Sequence, residues 1–401
     1  MPTEDKGPSP QRAEPISYQL LCLLRDHGPL SRVELADRLG QPRSRLAIEL
    51  DALAEAGMIQ GAGPAESRGG RRSLLLRLNP EIRYAAVDLG TTSIDVEITD
   101  GSLEPIAAHS EAADISVGPN VVLTRVNEIL QKMRADGAYR RLDALGVGLP
   151  GPVSVRDGMP VFPPIMPGWD RFPLRSTLGI EHGCPVAVDN DVNIMSIGER
   201  HSGIAHTIDN FLFVKVGTGI GCGIHLGGLV HRGADGCAGD MGHIQVDGRG
   251  PVCYCGNVGC LEVFFSGSSL AREALAAARS GASPALARRL AAQGTLTARD
   301  VGDAAAEGDM TCVNLVRVGG RYLGEVLAGM VSFINPSMIV IGGGLAGLGH
   351  LLLADIRAVV YKRSLPLATG NLLVVLSELG PRAGVTGAAV LASELAHRRR
   401  F

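Results

Sequence analysis

Between residues 243 and 260 the chain gathers one imidazole and three thiols, as His243 followed by Cys253-x-Cys255-x4-Cys260. One histidine and three cysteines make a closed tetrahedral donor set, the usual composition of a structural zinc site. Gly256 and Gly259 let the chain turn tightly enough to bring three sulfurs onto one ion. Free buried cysteines would not need three within eight residues. Cys237 stands close to this stretch, whereas Cys22, Cys184, Cys222 and Cys312 are scattered in apolar surroundings. Clustering of that kind favours metal over disulfides. Zinc held by His243, Cys253, Cys255 and Cys260 is therefore expected, with Asp240 and Glu262 placed around it.

A second polar group is Asp189-Asn190-Asp191-Val192-Asn193, directly after the strand-like Pro185-Val186-Ala187-Val188. Polar side chains at the carboxyl end of a strand are where α/β folds form ligand sites. Asn190 and Asp191 side by side can bind adjacent hydroxyls, and a carboxylate there can take a hydroxyl proton during phosphoryl transfer. The same run also fits a plain loop whose side chains cap a helix. Zinc could brace a second polar wall by fixing the orientation of His243.

Three glycine turns follow strand-like runs: Asp88-Leu89-Gly90-Thr91-Thr92, Gly217-Thr218-Gly219-Ile220-Gly221-Cys222-Gly223, and Gly342-Gly343-Gly344. Glycine lets a backbone approach a phosphate, a threonine hydroxyl can donate to it, and an aspartate can hold a metal-bound water. Any one such turn is common, but three in one chain make phosphate contacts by Asp88, Gly90, Thr92, Gly217, Thr218, Gly219, Gly343 and Gly344 a specific expectation.

These groups sit in a chain of two textures. From Tyr84 onward, apolar strand-like runs alternate with glycine turns and helical segments, which implies an α/β architecture with a partly parallel sheet. Ahead of that, Leu20, Leu21, Leu23 and Leu24 form an apolar helix face ending at His27-Gly28-Pro29. Ser31-Arg32-Val33-Glu34 reads as a capping box opening a short helix that closes at Gly40. A third helix opens with Pro42 at an early position and carries Leu46, Leu50, Leu53 and Ala54 on one face. Gly69-Gly70-Arg71-Arg72-Ser73-Leu74-Leu75-Leu76 then reads as a hairpin strand. Three short helices and a hairpin predict a winged helix-turn-helix. Its third helix would enter a DNA major groove with Arg43, Ser44 and Arg45 at base edges and phosphates, and Arg71 and Arg72 would touch phosphate or the minor groove from the wing.

Whole-chain numbers bound the answer. At 401 residues two or three domains are expected, and 45% hydrophobic content excludes a disordered chain. The net charge of −3 gives no global footprint for nucleic acid. Residues 1–80 carry 11 Lys and Arg against 10 Asp and Glu, so DNA contact rests on placement and not on total charge. The polar, Pro-rich start has no secretory core, and no uncharged apolar stretch reaches the ~20 residues of a membrane span. A cytoplasmic protein with no membrane partner is expected.

Taken together these residues resemble the ROK family of repressors, open reading frames and kinases, and in particular its transcriptional-regulator branch. The resemblance is carried in front by Ser31-Arg32-x-Glu34-Leu35-Ala36 and Gly69-Gly70-Arg71-Arg72. In the body it is carried by Leu149-Pro150-Gly151-Pro152, Asn190-Asp191, the 217–223 loop and Ala238-Gly239-Asp240-Met241-Gly242-His243. The Cys253–Glu262 run, Gly342-Gly343-Gly344 and Ala383-Gly384-Val385-x-Gly387-Ala388-Ala389 complete it.

The resemblance implies a two-lobed, actin-like sugar-kinase fold behind the winged helix. Residues 1–15 would form a disordered tail, 16–80 the DNA-binding domain, 82–193 with 383–398 a first lobe, and 194–382 a second lobe holding zinc. It implies that Asp191 matches the catalytic base, that Asn190, Asp240 and Glu262 contact sugar with Asp191, and that His243 both binds metal and faces the sugar. Two departures stand out: Asp240 replaces a glutamate, and Ile165 precedes Gly168-Trp169 where the family often has asparagine. Both imply a sugar other than glucose, a sugar derivative or weak binding. The implied function is a DNA-binding regulator, most simply a repressor, working as a homodimer or dimer of dimers under control of a small carbohydrate. The alternative is an ATP-dependent sugar kinase, which would require ATP and Mg2+.

Overall fold

The structure is a computed structural model and describes residues 14–64 and 73–399. The chain opens with α1 (Ile16–His27), β1 (Leu30–Ser31), α2 (Arg32–Leu39), α3 (Arg43–Glu55), β2 (Ile59–Pro64) and β3 (Leu74–Leu78). The capping box forms: the Glu34 amide donates to Ser31 Oγ at 3.3 Å and the Ser31 amide to Glu34 Oε2 at 2.8 Å. Pro42 stands one position ahead of α3, at its N-cap, with ψ 136°. β1, β3 and β2 form an antiparallel sheet in that order. Leu20, Leu24, Leu35, Leu46, Leu50 and Leu53 close a core that also includes Ala392 and Ala396 from the far end of the chain. Of the tail expected over 1–15, residues 1–13 lie outside the described residues, whereas Glu14 pairs with Arg398 at 3.0 Å.

The first large sheet comprises β4 (Tyr84–Leu89), β5 (Ser93–Thr99), β6 (Pro105–Ala112), β7 (Ala144–Leu149) and, after a small hairpin of β8 (Val153–Ser154) and β9 (Met159–Pro160), β10 (Val186–Asn190). Helices α4 (Pro119–Ala135) and α5 (Leu174–His182) lie within this stretch, and α6 (Asp191–Ser202) follows it. The second large sheet comprises β11 (Phe211–Val216), β12 (Ile220–Leu226), β13 (Leu229–Val230), β14 (Met338–Gly342) and β15 (Leu373–Leu376). Between β13 and β14 come α7 (Leu261–Phe264), α8 (Gly267–Ser280), α9 (Pro284–Gln293), α10 (Ala298–Ala306) and α11 (Met310–Ile334). α12 (Gly349–Arg363) and α13 (Pro366–Thr369) precede β15, and α14 (Ala383–Arg399) ends the described chain.

Both sheets share one topology. The orders are β6-β5-β4-β7-β10 and β13-β12-β11-β14-β15, each an antiparallel meander of three strands extended by two parallel ones. The glycine turns at 90–92 and 217–219 therefore occupy equivalent places, between the first and second strands of their sheets. α6 and α14 pack backbone to backbone between the two sheets. A Cβ at Gly387 would lie 1.7 Å from the Ile194 carbonyl oxygen, and one at Gly198 would lie 2.2 Å from that of Ala383. Larger residues there would force the helices apart. α6 runs unbroken through residues 193 and 194, so the two lobes are joined by a continuous helix.

The stretch Gly344–Arg363 has the length and mean hydropathy (1.3) of a membrane span. It nevertheless carries Asp355, Arg357, Lys362 and Arg363 and buries Leu352, Leu353, Ile356 and Val360 in the second lobe's core. Gly320 and Gly324 of α11 let it approach closely: a Cβ at Gly324 would meet Val359 Cβ at 2.8 Å.

Candidate sugar and metal site

The loop from β12 to α7 carries the metal cluster. His243 ends a single 3₁₀ turn over Met241–His243, with its Nδ1 3.6 Å from Cys253 Sγ. Cys255 Sγ lies 3.7 Å from Cys260 Sγ, and one ligand atom from each of the four residues falls within 4.8 Å of the others. Gly259 has φ +73°, and a Cβ there would overlap the Asp247 carbonyl oxygen at 1.6 Å. Only glycine fits that turn, which is why three sulfurs can converge so close in sequence. The donor set and spacing fit a metal ion. Cys237 is exposed and stays outside the cluster.

His243 links the cluster to a cleft of about 490 Å³ between the two sheets. Its Nε2 faces Asp240 at 3.9 Å, and its ring meets Tyr254 edge-on with centroids 5.5 Å apart. Glu262, in the first turn of α7, accepts from the Ile220 amide at 2.7 Å through Oε2 and from the Tyr254 hydroxyl through Oε1. Burial, reinforced by that carboxylate, pushes the Tyr254 phenol well above its ordinary range. Tyr254 was not singled out from the sequence; the available signal was its position between two metal-ligating cysteines.

On the opposite side, β10 delivers Asp189, Asn190 and Asp191. Asp189 is fully buried and accepts from Arg232 Nε at 2.8 Å and from Asn193 Nδ2 at 2.8 Å, so it is structural. Asn190 caps α6, accepting from the Val192 amide at 2.9 Å while donating to the Gly151 carbonyl at 2.7 Å. The helix-capping reading of this run thus holds for Asn190, which still lines the cleft. Asp191 accepts from the Val192 amide at 2.7 Å through Oδ1 and from the Lys215 ammonium through Oδ2.

Asp88, next to last in β4, lies beneath the amino terminus of α14, where a Cβ at Gly384 would clash with its Oδ2 at 1.8 Å. Burial pushes the Asp88 carboxyl up to about 7; Lys215 opposes the rise, and Asp191 and Asp95 add to it. Lys215 itself resists the effect of burial because Asp191, Asp88 and Glu262 all face it, which raises its value above the ordinary one. Lys215 was also missed from the sequence, although it is the one charged residue in Phe211–Val216.

Asn190, Asp191, Asp240, His243, Glu262 and Gly219 come together around this cleft, with Ile165 among its neighbours. Gly90, Thr92, Gly217, Thr218, Gly343 and Gly344 do not line it; at the first turn Thr91 does so in place of Thr92. Gly217 packs instead on the start of α8, its carbonyl accepting from the Gly267 amide at 2.6 Å. Gly343 has φ +82° and sits against the end of β11. In the front domain Arg43, Ser44 and Arg45 are exposed at the amino terminus of α3, and neither arginine has a protein partner among the described residues. Arg71 and Arg72 lie outside the described residues.

Two mixed sheets of one topology, with a polar cleft between them, define a sugar-kinase-like fold. The chain belongs to the ROK family, whose model matches residues 84–395. It is 28% identical to the xylose repressor of Caldicellulosiruptor bescii over 375 residues, covering 92% of each chain. A solved ROK family transcriptional regulator, a homologue of the E. coli MLC protein, superposes with a TM-score of 0.82 at 27% identity, over 95% of this chain and 96% of that one. A ROK family glucokinase from Streptomyces griseus, solved with glucose and AMPPNP, superposes with a TM-score of 0.67 at 29% identity. That match covers 77% of this chain and 99% of the glucokinase.

Proposed function

We propose that this protein is a sequence-specific DNA-binding repressor of carbohydrate metabolism, controlled by a small sugar bound in the cleft. The observation that carries the reading is coverage. The glucokinase is matched over nearly its whole length yet leaves about a quarter of this chain unmatched, whereas the regulator and the xylose repressor extend over almost all of it. The extra part is a winged helix-turn-helix: α2 braces the backbone, and α3 enters the major groove with Arg43, Ser44 and Arg45 toward base edges and phosphates. Arg71 and Arg72 extend the contact from the wing. Ile48, 72% exposed on α3, adds an apolar surface suited to a thymine methyl group.

In the cleft, Asp191, Asp240, Glu262 and Asn190 bind sugar hydroxyls. A structural zinc ion on His243, Cys253, Cys255 and Cys260 fixes the imidazole that faces them. The protein acts in the cytoplasm as a homodimer or dimer of dimers, which reads two half-sites together. The test is binding of the purified protein to its own upstream DNA and to a scrambled control at fixed salt, because affinity depends steeply on ionic strength. Selective binding supports the reader, and equal affinity for both sequences overturns it.

A sugar kinase is the second reading, favoured by Asp191 on the cleft wall with Asp88 near enough to feel its charge. Coupled measurement of ATP consumption over a panel of sugars tests it. Turnover with a bound sugar would establish it, and none with any sugar that binds would exclude it.

A further inference from the structure

A phosphoryl-transferring member of this fold needs a divalent cation with its nucleotide, and the acidic residues available for one here are Asp88 and Asp191. Asp191 is not free for it, because the Lys215 ammonium already sits on its Oδ2. Lys215 leaves β11 on the same face as Phe211 and Phe213, the face covered by α6, and its backbone is paired on one side with Gly221 and on the other with Gly342. Neither neighbour has a side chain beyond the backbone, and Lys215 Cε lies within 3.4 Å of where a Cβ on Gly217 would stand. The bare backbone at Gly221 and Gly342 leaves room for the stem, and the ammonium reaches Asp191 Oδ2. Asp191 Oδ1 already accepts from the Val192 amide in the first turn of α6. Both oxygens of the residue matched to the family's base are therefore engaged before any ligand arrives.

We infer that Lys215 is a built-in counter-cation that takes the seat of the divalent metal and holds Asp191 as a hydroxyl acceptor, so that the cleft binds an uncharged sugar without metal or nucleotide. This rests on the reading of the cleft as a sugar sensor. The physical argument is charge balance. A fixed ammonium against Asp191, facing Asp88 and Glu262, supplies part of the positive charge that a metal would bring. It also repels a second cation at short range. A carboxylate bonded to an ammonium remains a good partner for a sugar hydroxyl. The cleft keeps Asp240 and Glu262 in excess over this single lysine, which disfavours a phosphorylated or acidic sugar.

The probe is Mn2+ alone, followed by electron paramagnetic resonance on the zinc-loaded full chain, beside calorimetric binding of neutral sugars with and without Mg2+. Wild type is expected to take up no Mn2+ in the cleft at submillimolar concentration and to bind sugar equally with and without Mg2+. Lys215→Met is expected to bind one Mn2+ at least roughly tenfold more tightly than wild type, and Lys215→Arg to behave as wild type. Mn2+ uptake by wild type that Asp88→Asn abolishes would overturn the assignment, as would a folded Lys215→Met variant with no gain. If Lys215→Met does not fold, the wild-type Mn2+ and Mg2+ measurements still decide. Failure of every sugar to bind, with the Mn2+ results as expected, would count against the sensor reading and leave the role of Lys215 standing.

Discussion

The front domain and the cleft handle charge in opposite ways. On α3, Arg43 and Arg45 are exposed and without partners among the described residues, which suits a surface that meets phosphates at low desolvation cost. In the cleft, Asp189 is bound to Arg232, Asp191 to Lys215 and Glu262 to Tyr254. Two of these carboxylates are paired with cations and the third is hydrogen-bonded, as burial requires. Exposed arginines at one end and a largely paired polar cleft at the other are what the proposed DNA reader joined to a sugar sensor would need. α6 joins the two: it begins at Asp191 in the cleft, and its last turn carries His201, 3.5 Å from Asp26 of α1.

The contrast breaks most visibly at the metal. Cys255→Ser is expected to lose zinc and, by freeing His243, to weaken sugar binding by roughly 10–100-fold. Metal analysis and calorimetry read the two together, and unchanged sugar affinity in a zinc-free variant would show that the ion does not brace the cleft. Next in size, Arg45→Ala is expected to reduce operator affinity about tenfold, on the order of 1–3 kcal/mol, with sugar binding unchanged. Fluorescence anisotropy checks this, and an unaltered operator affinity would move the recognition surface off the start of α3.

The smallest effect concerns the junction. Burial, with Arg25 adding to it and Asp26 opposing, lowers His201 to about 4 from its ordinary 6.5. A depressed folded value means that the stabilisation is present above about 6.5 and is lost as pH falls toward 4. Stability should drop by roughly 1 kcal/mol between about pH 7 and 6 through this residue, and His201→Gln should flatten that segment of a denaturation-versus-pH profile.

What could be read from sequence divides along contact range. The metal cluster, the Ser31–Glu34 box and the glycine turns are signalled by residues a few positions apart, and local chemistry determines them. Lys215 and Arg232 meet their carboxylates only once β11 and the 231–260 loop are brought against β10, so periodicity alone places Lys215 as an anomaly in an apolar strand. Asn190 could be read either as a ligand or as a cap, and only its bonds to Val192 and Gly151 show that it caps α6 while it lines the cleft. The core that α14 shares with the front domain through Ala392 and Ala396 spans nearly the whole chain and leaves no local signature.

Operator affinity measured against increasing concentrations of neutral sugars tests whether cleft and reader are coupled. Coupling is reciprocal, so a sugar that lowers operator affinity must itself bind less tightly to the DNA-bound protein, by the same factor. One sugar is expected to do both. Operator affinity unmoved by any sugar that demonstrably fills the cleft would contradict it.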